Sequence, residues 1–533
     1  MVTECSNGEP VLNTFDLLQI ASAIAPDRDA FVTGEDGESR FTFSETEGRA
    51  RSLATGLREL GVVAGDRVAM MEVNRSEHAE AVFACSLIDA VFVPINYRAR
   101  AHELAGMLHE VTPRVIIGGE RYGEVISEAM DESKSSVRPV AIGQYGDWTN
   151  YNSIVEHSEQ FWDAPQAGDD DAAMIMFTSG TSSQPKGVVL SHDSFCGFVL
   201  ANVTPADPDP ETAERTLLTV PLYHIAGAQA LMSGVYGGRT LVLQPQFEPA
   251  AWMRLVQREK VNRAMVVPTM LKTLMDHHEF EKFDLSSLEV ITYGAAAMPE
   301  VVLMDALKKF PDAQFINAFG QTETAATITM LSPEDHRLVG TPEEIELKRK
   351  RIRSIGRPLA DVEIQIVDDM GAEVEQGVTG EIVARGDRLM KGYWNMPDAT
   401  SGALQAGWLH TGDLGWADEG GYIFLAGRIR EFVKRGGEMI SPEEVEEVID
   451  LHELVSESAV IGLPDEKWGE IVHAIVVPAP DAAPTGEGII AWCHDRLASY
   501  KKPEVVHFVD ELPRTQLGKV MKGELRARFH EGG

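Results

Sequence analysis

The sequence predicts an α/β protein built on two doubly wound, mainly parallel sheets, and three observations carry that prediction. Short apolar runs alternate with helix-length segments from Ser44 onward, and the alternation recurs beyond a loop at 178–187. Near Gly356 the texture changes to short β-like runs broken by glycine, and beyond Arg430 it is mixed again. Strands that return to a sheet through helices give parallel pairs with both faces covered. The 533 residues suffice for roughly two to four domains, each with its own core. The expectation is a large N-terminal domain over 1–427, with a small β-rich subdomain at about 356–427, followed by a small α+β domain over 428–533.

The first helix of the alternation is expected at Ser44, where Glu47 three residues on completes a capping box. Leu53, Leu57 and Leu60 line one face before Gly61 ends it. Residues 66–73 read as a strand, Ser76 opens a second helix, and 91–95 and 114–117 are further strands. The longest apolar stretch, 79–95, is interrupted by Glu80 and Asp89. It fits a buried helix running into a strand better than a membrane span. Residues 172–177 read as a buried strand, and a helix is expected from Ser191. Strands at 216–220, 239–243, 264–267, 289–293 and 314–318 then make the second sheet. Ligands of such sheets bind beyond the carboxyl ends of the strands. Those ends carry His224, Gly294-Ala-Ala-Ala297 and Phe319-Gly-Gln-Thr-Glu323. The last part reads as a helix at 442–451, strands around 459–461 and 473–477, and a helix from near Val520.

Acidic residues outnumber basic ones by 83 to 47, a net charge of −36. That excess argues against broad nucleic-acid binding and against attraction to anionic membranes, and a site for a polyanion must gather its positive charge locally. Cys5, Cys85, Cys196 and Cys493 show no CxxC spacing, so reduced thiols in a cytoplasmic setting are expected, with no zinc site. No basic segment precedes the first apolar run, and the last residues form neither a lipidation nor a peroxisomal signal.

Between the 172–177 strand and the expected helix lies Thr178-Ser-Gly-Thr-Ser-Ser-Gln-Pro-Lys-Gly187. Hydroxyls, glycines and one lysine suit an anion, because backbone N–H groups and hydroxyls wrap phosphate oxygens while Lys186 adds a point charge. It is not a Walker A loop, since Pro185 stands where that pattern needs glycine and Gly187 where it needs Ser or Thr. The same composition also fits a solvated turn.

Taken in order with the later segments, this loop resembles that of the acyl-adenylate-forming, AMP-binding superfamily of acyl-CoA synthetases, aryl-CoA ligases, luciferases and amino-acid adenylation domains. The resemblance runs from about Ser44 to Lys522. It implies that Thr178, Ser179, Gly180, Thr181 and Lys186 bind phosphate, and that Gly294, Ala295, Ala296 and Asn317 belong to the nucleotide site. It further implies that Phe319, followed by Gly320, stacks on adenine, that Thr322 bonds the α-phosphate and that Glu323 helps hold Mg²⁺. A carboxylate is a hard-oxygen ligand suited to that ion. A helix N-cap at Thr322 is the plain structural alternative. Asp413, in Trp408-Leu-His-Thr-Gly-Asp413, matches the aspartate that grips both ribose hydroxyls, and Arg428 matches a second ribose or phosphate contact. A turn aspartate before a hairpin is the alternative.

Lys519, in Leu512-Pro-Arg-Thr-Gln-Leu-Gly-Lys519, matches the adenylation lysine. A carboxylate and an α-phosphate repel as they approach, and a lysine spanning both relieves that repulsion where the bond forms. Lys522 nearby reads as part of a solvated helix face. Arg430 stands at the family's hinge, which implies a mobile C-terminal domain. Gly436, Gly437 and Trp468 match segments that face CoA, with a buried tryptophan as the alternative for the last. His224 matches a position beside the acyl carboxylate or the thiol's route, and a core histidine is its alternative. The absence of an aspartate in 222–225 favours an acid without an α-amino group.

Two positions depart from the family pattern: Phe319 stands where tyrosine is commoner, and Ser183 where glycine is usual. The basic stretch 348–353 either attracts phosphates or is a solvated surface segment. The expected activity is that of an ATP-dependent carboxylic acid:CoA ligase for a hydrophobic acid (fatty, alicyclic or aromatic). The substrates are ATP and coenzyme A, the metal is Mg²⁺, and the chain is a monomer or homodimer without membrane insertion. Two alternatives stand beside it: an acyl-AMP ligase serving a carrier protein or an amine, and a nucleotide-binding scaffold without catalysis.

Overall fold

The computed structural model describes residues 12–34, 39–178, 185–428, 431–435, 438–465, 467–494, 496–515 and 518–530. The chain divides into two compact units. One comprises Met1–Leu338, Pro358–Glu363 and Arg385–Leu409; the other comprises Val339–Arg357, Ile364–Ala384 and His410–Gly533.

The first unit contains two mainly parallel sheets. In one, Arg67–Met71 lies between Val91–Ile95 and Val115–Gly119, all parallel, and Arg138–Ile142 continues beyond the latter. On the other side Val91–Ile95 neighbours Ala172–Thr178, which pairs with Lys186–Ser191. The helix Ser76–Leu87 is buried along its whole length and leads into a wholly buried strand, as the apolar stretch 79–95 predicts. Its Glu80 is tolerated because Arg49 grips the carboxylate through Nε at 2.8 Å and Nη2 at 3.1 Å, and Tyr151 Oη donates to it at 2.7 Å. Removing one member of such a buried pair costs about 3–5 kcal/mol.

The second sheet runs in the order Ala326–Leu331, Gln314–Gln321, Val290–Gly294, Arg263–Val266, Arg215–Leu218, Thr240–Leu243, Asp29–Thr33 and Ser39–Thr42. Its central strands are parallel, and Ala326–Leu331 returns antiparallel to Gln314–Gln321.

Two local expectations differ from the structure. The capping box of the helix Phe43–Glu59 is Thr42 with Glu45, because the strand Ser39–Thr42 runs straight into the helix and leaves Thr42 as its last extended residue. The loop at 178–187 does not lead directly into a helix. Lys186–Ser191 is a strand antiparallel to Ala172–Thr178, and the helix His192–Asn202 begins only after Ser191 caps it. The valines at 188 and 189 favour the extended chain. The described strands on either side of this segment therefore pair antiparallel, and the helix His192–Asn202 follows the second of them.

The second unit carries the strands Glu363–Val367, Gly380–Arg385, Trp408–Ala417 and Ile423–Arg428 in that sheet order, then a further sheet. In the latter, Val455–Asp465 and Gly469–Pro478 form a long antiparallel pair, and Val505–Phe508 joins Gly469–Pro478 in parallel. The helices Pro442–Asp450 and Gly486–His494 cover one face through Val445, Ile449, Ile489 and Cys493, while Leu512 and Leu525 cover the other. Among the described residues no helix is long and apolar enough to cross a membrane.

His78 lies on the buried helix, 2 % exposed, with its ring edge-on to Phe92 and neither ring nitrogen hydrogen-bonded among the described residues. Burial pushes its imidazole down to about 3. Between pH 6.5 and that value the unfolded chain takes up a proton that the folded chain refuses, so stability falls with acidification by about 1.4 kcal/mol per pH unit. His78→Leu should flatten this dependence in urea melts at pH 7.5, 6 and 4.5. An unchanged acid slope would refute the assignment.

Candidate active site

In the first unit, the segment 390–394 joins the end of the 178–187 hairpin to the Glu323 turn. The Trp394 N–H donates to Gly187 O at 2.7 Å, and the Met390 N–H donates to Glu323 O at 3.0 Å. Between them, Tyr393 Oη donates to Glu323 Oε1 at 3.0 Å, and Lys186 Nζ lies 4.6 Å from the Tyr393 ring centroid. One tyrosine thus orients the carboxylate through its hydroxyl and holds the lysine over its face. Glu323 Oε2 has no partner among the described residues, which leaves it open to a cation. No group of three or more His, Cys, Asp or Glu side chains gathers for a metal among those residues, so Glu323 fits an ion whose other ligands come from phosphate and water.

The turn that carries Glu323 is rigid for identifiable reasons. Thr322–Thr324 is a single 3₁₀ turn preceded by Gln321, so Thr322 opens the turn and is not its N-cap. Thr324 Oγ1 accepts from Gln321 N–H at 2.8 Å and bonds to Ala326 O at 2.6 Å, in a fully buried position. Arg388, 2 % exposed, donates to Thr324 O at 3.0 Å and Thr327 O at 2.7 Å and pairs with Asp361. Phe319 precedes a bulge in the strand Gln314–Gln321, where Asn317 lies opposite Tyr293 and Ala318 opposite Gly294. Gly294 brings the two backbones close: a Cβ there would lie 2.2 Å from Ala318 O. Ala295 follows in the left-handed region at φ 65°, and Ala295 is exposed beside the partly exposed Ala296.

His224 immediately precedes the helix Ile225–Tyr236, which packs against the strand Ala326–Leu331. Its ring lies 4.5 Å from that of Tyr223, whose ring in turn meets Tyr97 edge-on at 5.6 Å. Burial pushes the His224 imidazole down to about 4, so it is neutral near pH 7. Thr178 stands at the loop end of the strand pair, opposite Lys186 across the ladder. Ser179, Gly180, Thr181, Arg430, Gly436 and Gly437 lie outside the described residues.

In the second unit, Asp413 and Arg428 lie opposite each other on neighbouring antiparallel strands, and Arg428 Nε reaches Asp413 Oδ1 at 2.8 Å. Burial raises the Asp413 carboxyl above its ordinary value, while Arg428 and then Lys519 lower it. Lys519 is presented by a tight turn: the Lys519 N–H donates to Thr515 Oγ1 at 3.2 Å, the Thr515 N–H to Lys519 O at 2.8 Å, and Gly518 takes φ 75°. Partial burial, then the charge of Arg428, pushes the Lys519 ammonium below its ordinary value. Lys522 is not on a solvated face. Its side chain is 10 % exposed, and Glu446, Glu443 and Glu431 surround its Nζ. Trp468 is 41 % exposed, with Lys467 and Arg435 over its ring at 4.7 and 5.5 Å, so it is not a core tryptophan. The basic stretch ends the exposed helix Pro342–Arg351, where Lys350 covers Trp416 and Arg351 covers Tyr422.

The model of the AMP-binding enzyme family matches residues 18–394, well over half of the chain, and that of the AMP-binding enzyme C-terminal domain matches 444–519. The chain belongs to the AMP-binding enzyme family. Within the acyl-adenylate-forming superfamily, this family member stands on the branch of AMP-forming acyl-CoA synthetases. It is 34 % identical over 500 residues to a feruloyl-CoA synthase of an Amycolatopsis species, covering 92 % of this chain and 95 % of that protein. It is 33 % identical to the long-chain-fatty-acid–CoA ligase FadD13 of Mycobacterium tuberculosis, covering 96 % and 98 %. Among solved structures it is similar to the anthranilate CoA ligase AuaEII in complex with anthranoyl-AMP, with a TM-score of 0.87, 25 % identity and 99 % coverage of both chains.

Tyr393, Arg388 and Glu431 escaped sequence reasoning. A lysine at the first position of the helix Lys522–His530, where the dipole disfavours a cation, was the one available sign that Lys522 has specific partners.

Gly320 offers a direct check on the rigid turn of this AMP-binding enzyme. A Cβ there would lie 1.7 Å from Ala326 O, a backbone atom that cannot swing aside. Gly320→Ala should destabilise the enzyme by at least about 2 kcal/mol in urea melts and depress nucleotide-dependent activity. A variant as stable as wild type would contradict the close approach.

Proposed function

We propose that this enzyme activates a hydrophobic carboxylic acid (fatty, alicyclic or aromatic) as an acyl-adenylate and passes the acyl group to coenzyme A. In the first half-reaction a carboxylate oxygen attacks the α-phosphorus of ATP, the bond to the β-phosphate breaks, and pyrophosphate leaves. In the second, the CoA thiol attacks the acyl carbon, gives up its proton, and AMP leaves. Lys186 and Thr322 are assigned to the phosphates, Phe319 to adenine, and Asp413 with Arg428 to the ribose. Lys519 is assigned to the repulsion between the two anions in the first step.

The observation that carries this reading is the turn that presents Lys519 in the same electrostatic neighbourhood as Arg428 and Asp413. Mg²⁺ at Glu323 would supply charge neutralisation between phosphates, and Tyr393 holds that carboxylate in place. The neutral His224 supports a hydrogen bond to the acid, not an ion pair. The names of the relatives above favour acids with apolar bodies. Trp468 with its two cations is assigned to CoA, and the C-terminal domain from 428 is assigned a turn about Arg430 between the half-reactions. The buried thiols of Cys85, Cys196 and Cys493 suit the reducing cytoplasm.

Acid-dependent exchange between pyrophosphate and ATP across a broad panel of carboxylic acids tests the reading. At least one fatty or aromatic acid should support exchange, and silence across the panel would overturn it. Preformed acyl-adenylate should react with CoA, and reaction only with a carrier protein or an amine would transfer the assignment to an acyl-AMP ligase. Lys519→Ala should lower exchange by about 100-fold or more while thioester formation from supplied acyl-adenylate stays near wild type.

The pH dependence follows from the same lysine. Its ammonium is needed charged and loses its proton below the ordinary 10.5 of a lysine. Exchange should therefore fall as pH rises through a value below 10.5, and Lys519→Arg should move that fall upward. A wild-type profile flat to pH 10.5 would count against the role.

A further inference from the structure

Lys519 and Lys522 share one carboxylate. Glu431 offers Oε1 to Lys519 Nζ at 3.8 Å and Oε2 to Lys522 Nζ at 3.6 Å. Lys522 is held from its other sides by Glu446 Oε1 at 2.9 Å and Glu443 Oε1 at 3.6 Å. Glu446 is itself fixed, because the Val460 N–H donates to its Oε1 at 2.6 Å. The backbone of Glu431 is anchored as well: its N–H donates to Arg428 O at 2.8 Å, and Arg526 donates to its carbonyl at 3.4 Å. The chain of charges thus runs from a buried, fully engaged end at Lys522 to an accessible end at Lys519, whose side chain is 45 % exposed.

We infer that Glu431 is a positioning residue for the adenylation step, holding the ammonium of Lys519 in place while Lys522 holds Glu431. The inference rests on the role proposed for Lys519 and deepens it. A long lysine tail spread over many rotamers spends little time at the reacting atoms, whereas a charge aligned beforehand needs no reorganisation as negative charge develops. The contact at 3.8 Å is an electrostatic tether and not a tight hydrogen bond, so the ammonium keeps its donors for phosphate and carboxylate oxygens. Glu431, Glu443, Glu446, Lys519 and Lys522 all follow Arg430 in the chain, so the tether turns together with the lysine it positions.

The test compares full-length variants in the two half-reactions. In Glu431→Gln, acid-dependent pyrophosphate–ATP exchange should lose about tenfold to a hundredfold in kcat, with the KM for ATP within about threefold. Thioester formation from supplied acyl-adenylate should stay within about twofold, since the lysine acts on one step only. Lys522→Met should follow Glu431→Gln, and Lys522→Arg, which keeps the cation, should recover most of the loss. Full exchange in Glu431→Gln beside an inactive Lys519→Ala overturns the tether and leaves the lysine's role standing; exchange retained by Lys519→Ala overturns both. Equal losses in both half-reactions, with a lowered thermal midpoint, mark Glu431 as a fold residue and overturn the inference. If Glu431→Gln does not fold, Glu431→Asp is read in the same way, because the shortened carboxylate cannot span both lysines.

Discussion

Positive charge in a chain of net charge −36 has to be held where it is used, and within each unit the cations are placed against specific partners. Lys186 lies over the ring of Tyr393, Arg428 lies against Asp413, and Lys519 lies within reach of Glu431. Each partner does more than neutralise. A ring face holds the ammonium without using an oxygen acceptor, and a carboxylate that is itself gripped fixes a direction. Arg388 shows the structural form of the same rule. Buried against Asp361, it uses its remaining donors on two carbonyls and so fixes the turn that bears Glu323.

Backbone proximity supplies the rest of the geometry. Gly294 and Gly320 stand where neighbouring carbonyls leave no room for a side chain, and the strands Val290–Gly294 and Gln314–Gln321 keep their register as far as Gly294 and Ala318. The parallel ladder therefore sets the height of Asn317, the antiparallel neighbour that of Phe319, and Glu323 follows on the turn beyond. The hairpin between Ala172–Thr178 and Lys186–Ser191 does the same for Thr178 and Lys186. In both places hydrogen-bonded strands, and not helix ends, position the polar groups.

Much of this was legible in the sequence, for physical reasons that differ between elements. The alternation of strands and helices reads clearly because fully buried strands such as Val91–Ile95 are continuous apolar runs separated by helix-length segments. The strand Lys186–Ser191 did not read, because a short strand beside a helix N-cap has too few residues to show a period of two. The helix at Phe43 is capped two residues earlier than expected, since Thr42–Glu45 and Ser44–Glu47 are both capping pairs and only the preceding strand decides between them. Asp413 and Arg428 were legible as motif residues, and their mutual contact comes from strand pairing that no local pattern records. Tyr393 lies 70 positions from the carboxylate it orients, and Lys522 finds Glu446 from another element, so neither contact had a local sign.

The cluster around Lys522 also bears on how such a chain drifts over generations. Three acidic groups and two basic ones meet there in part-buried surroundings, so a lone replacement strands an opposite charge away from water. Positions 431, 443, 446, 519 and 522 are therefore expected to covary. A lineage that abandons Lys522 is expected to shed acidic partners too, whereas one that abandons Lys519 alone still leaves Glu431 facing Lys522.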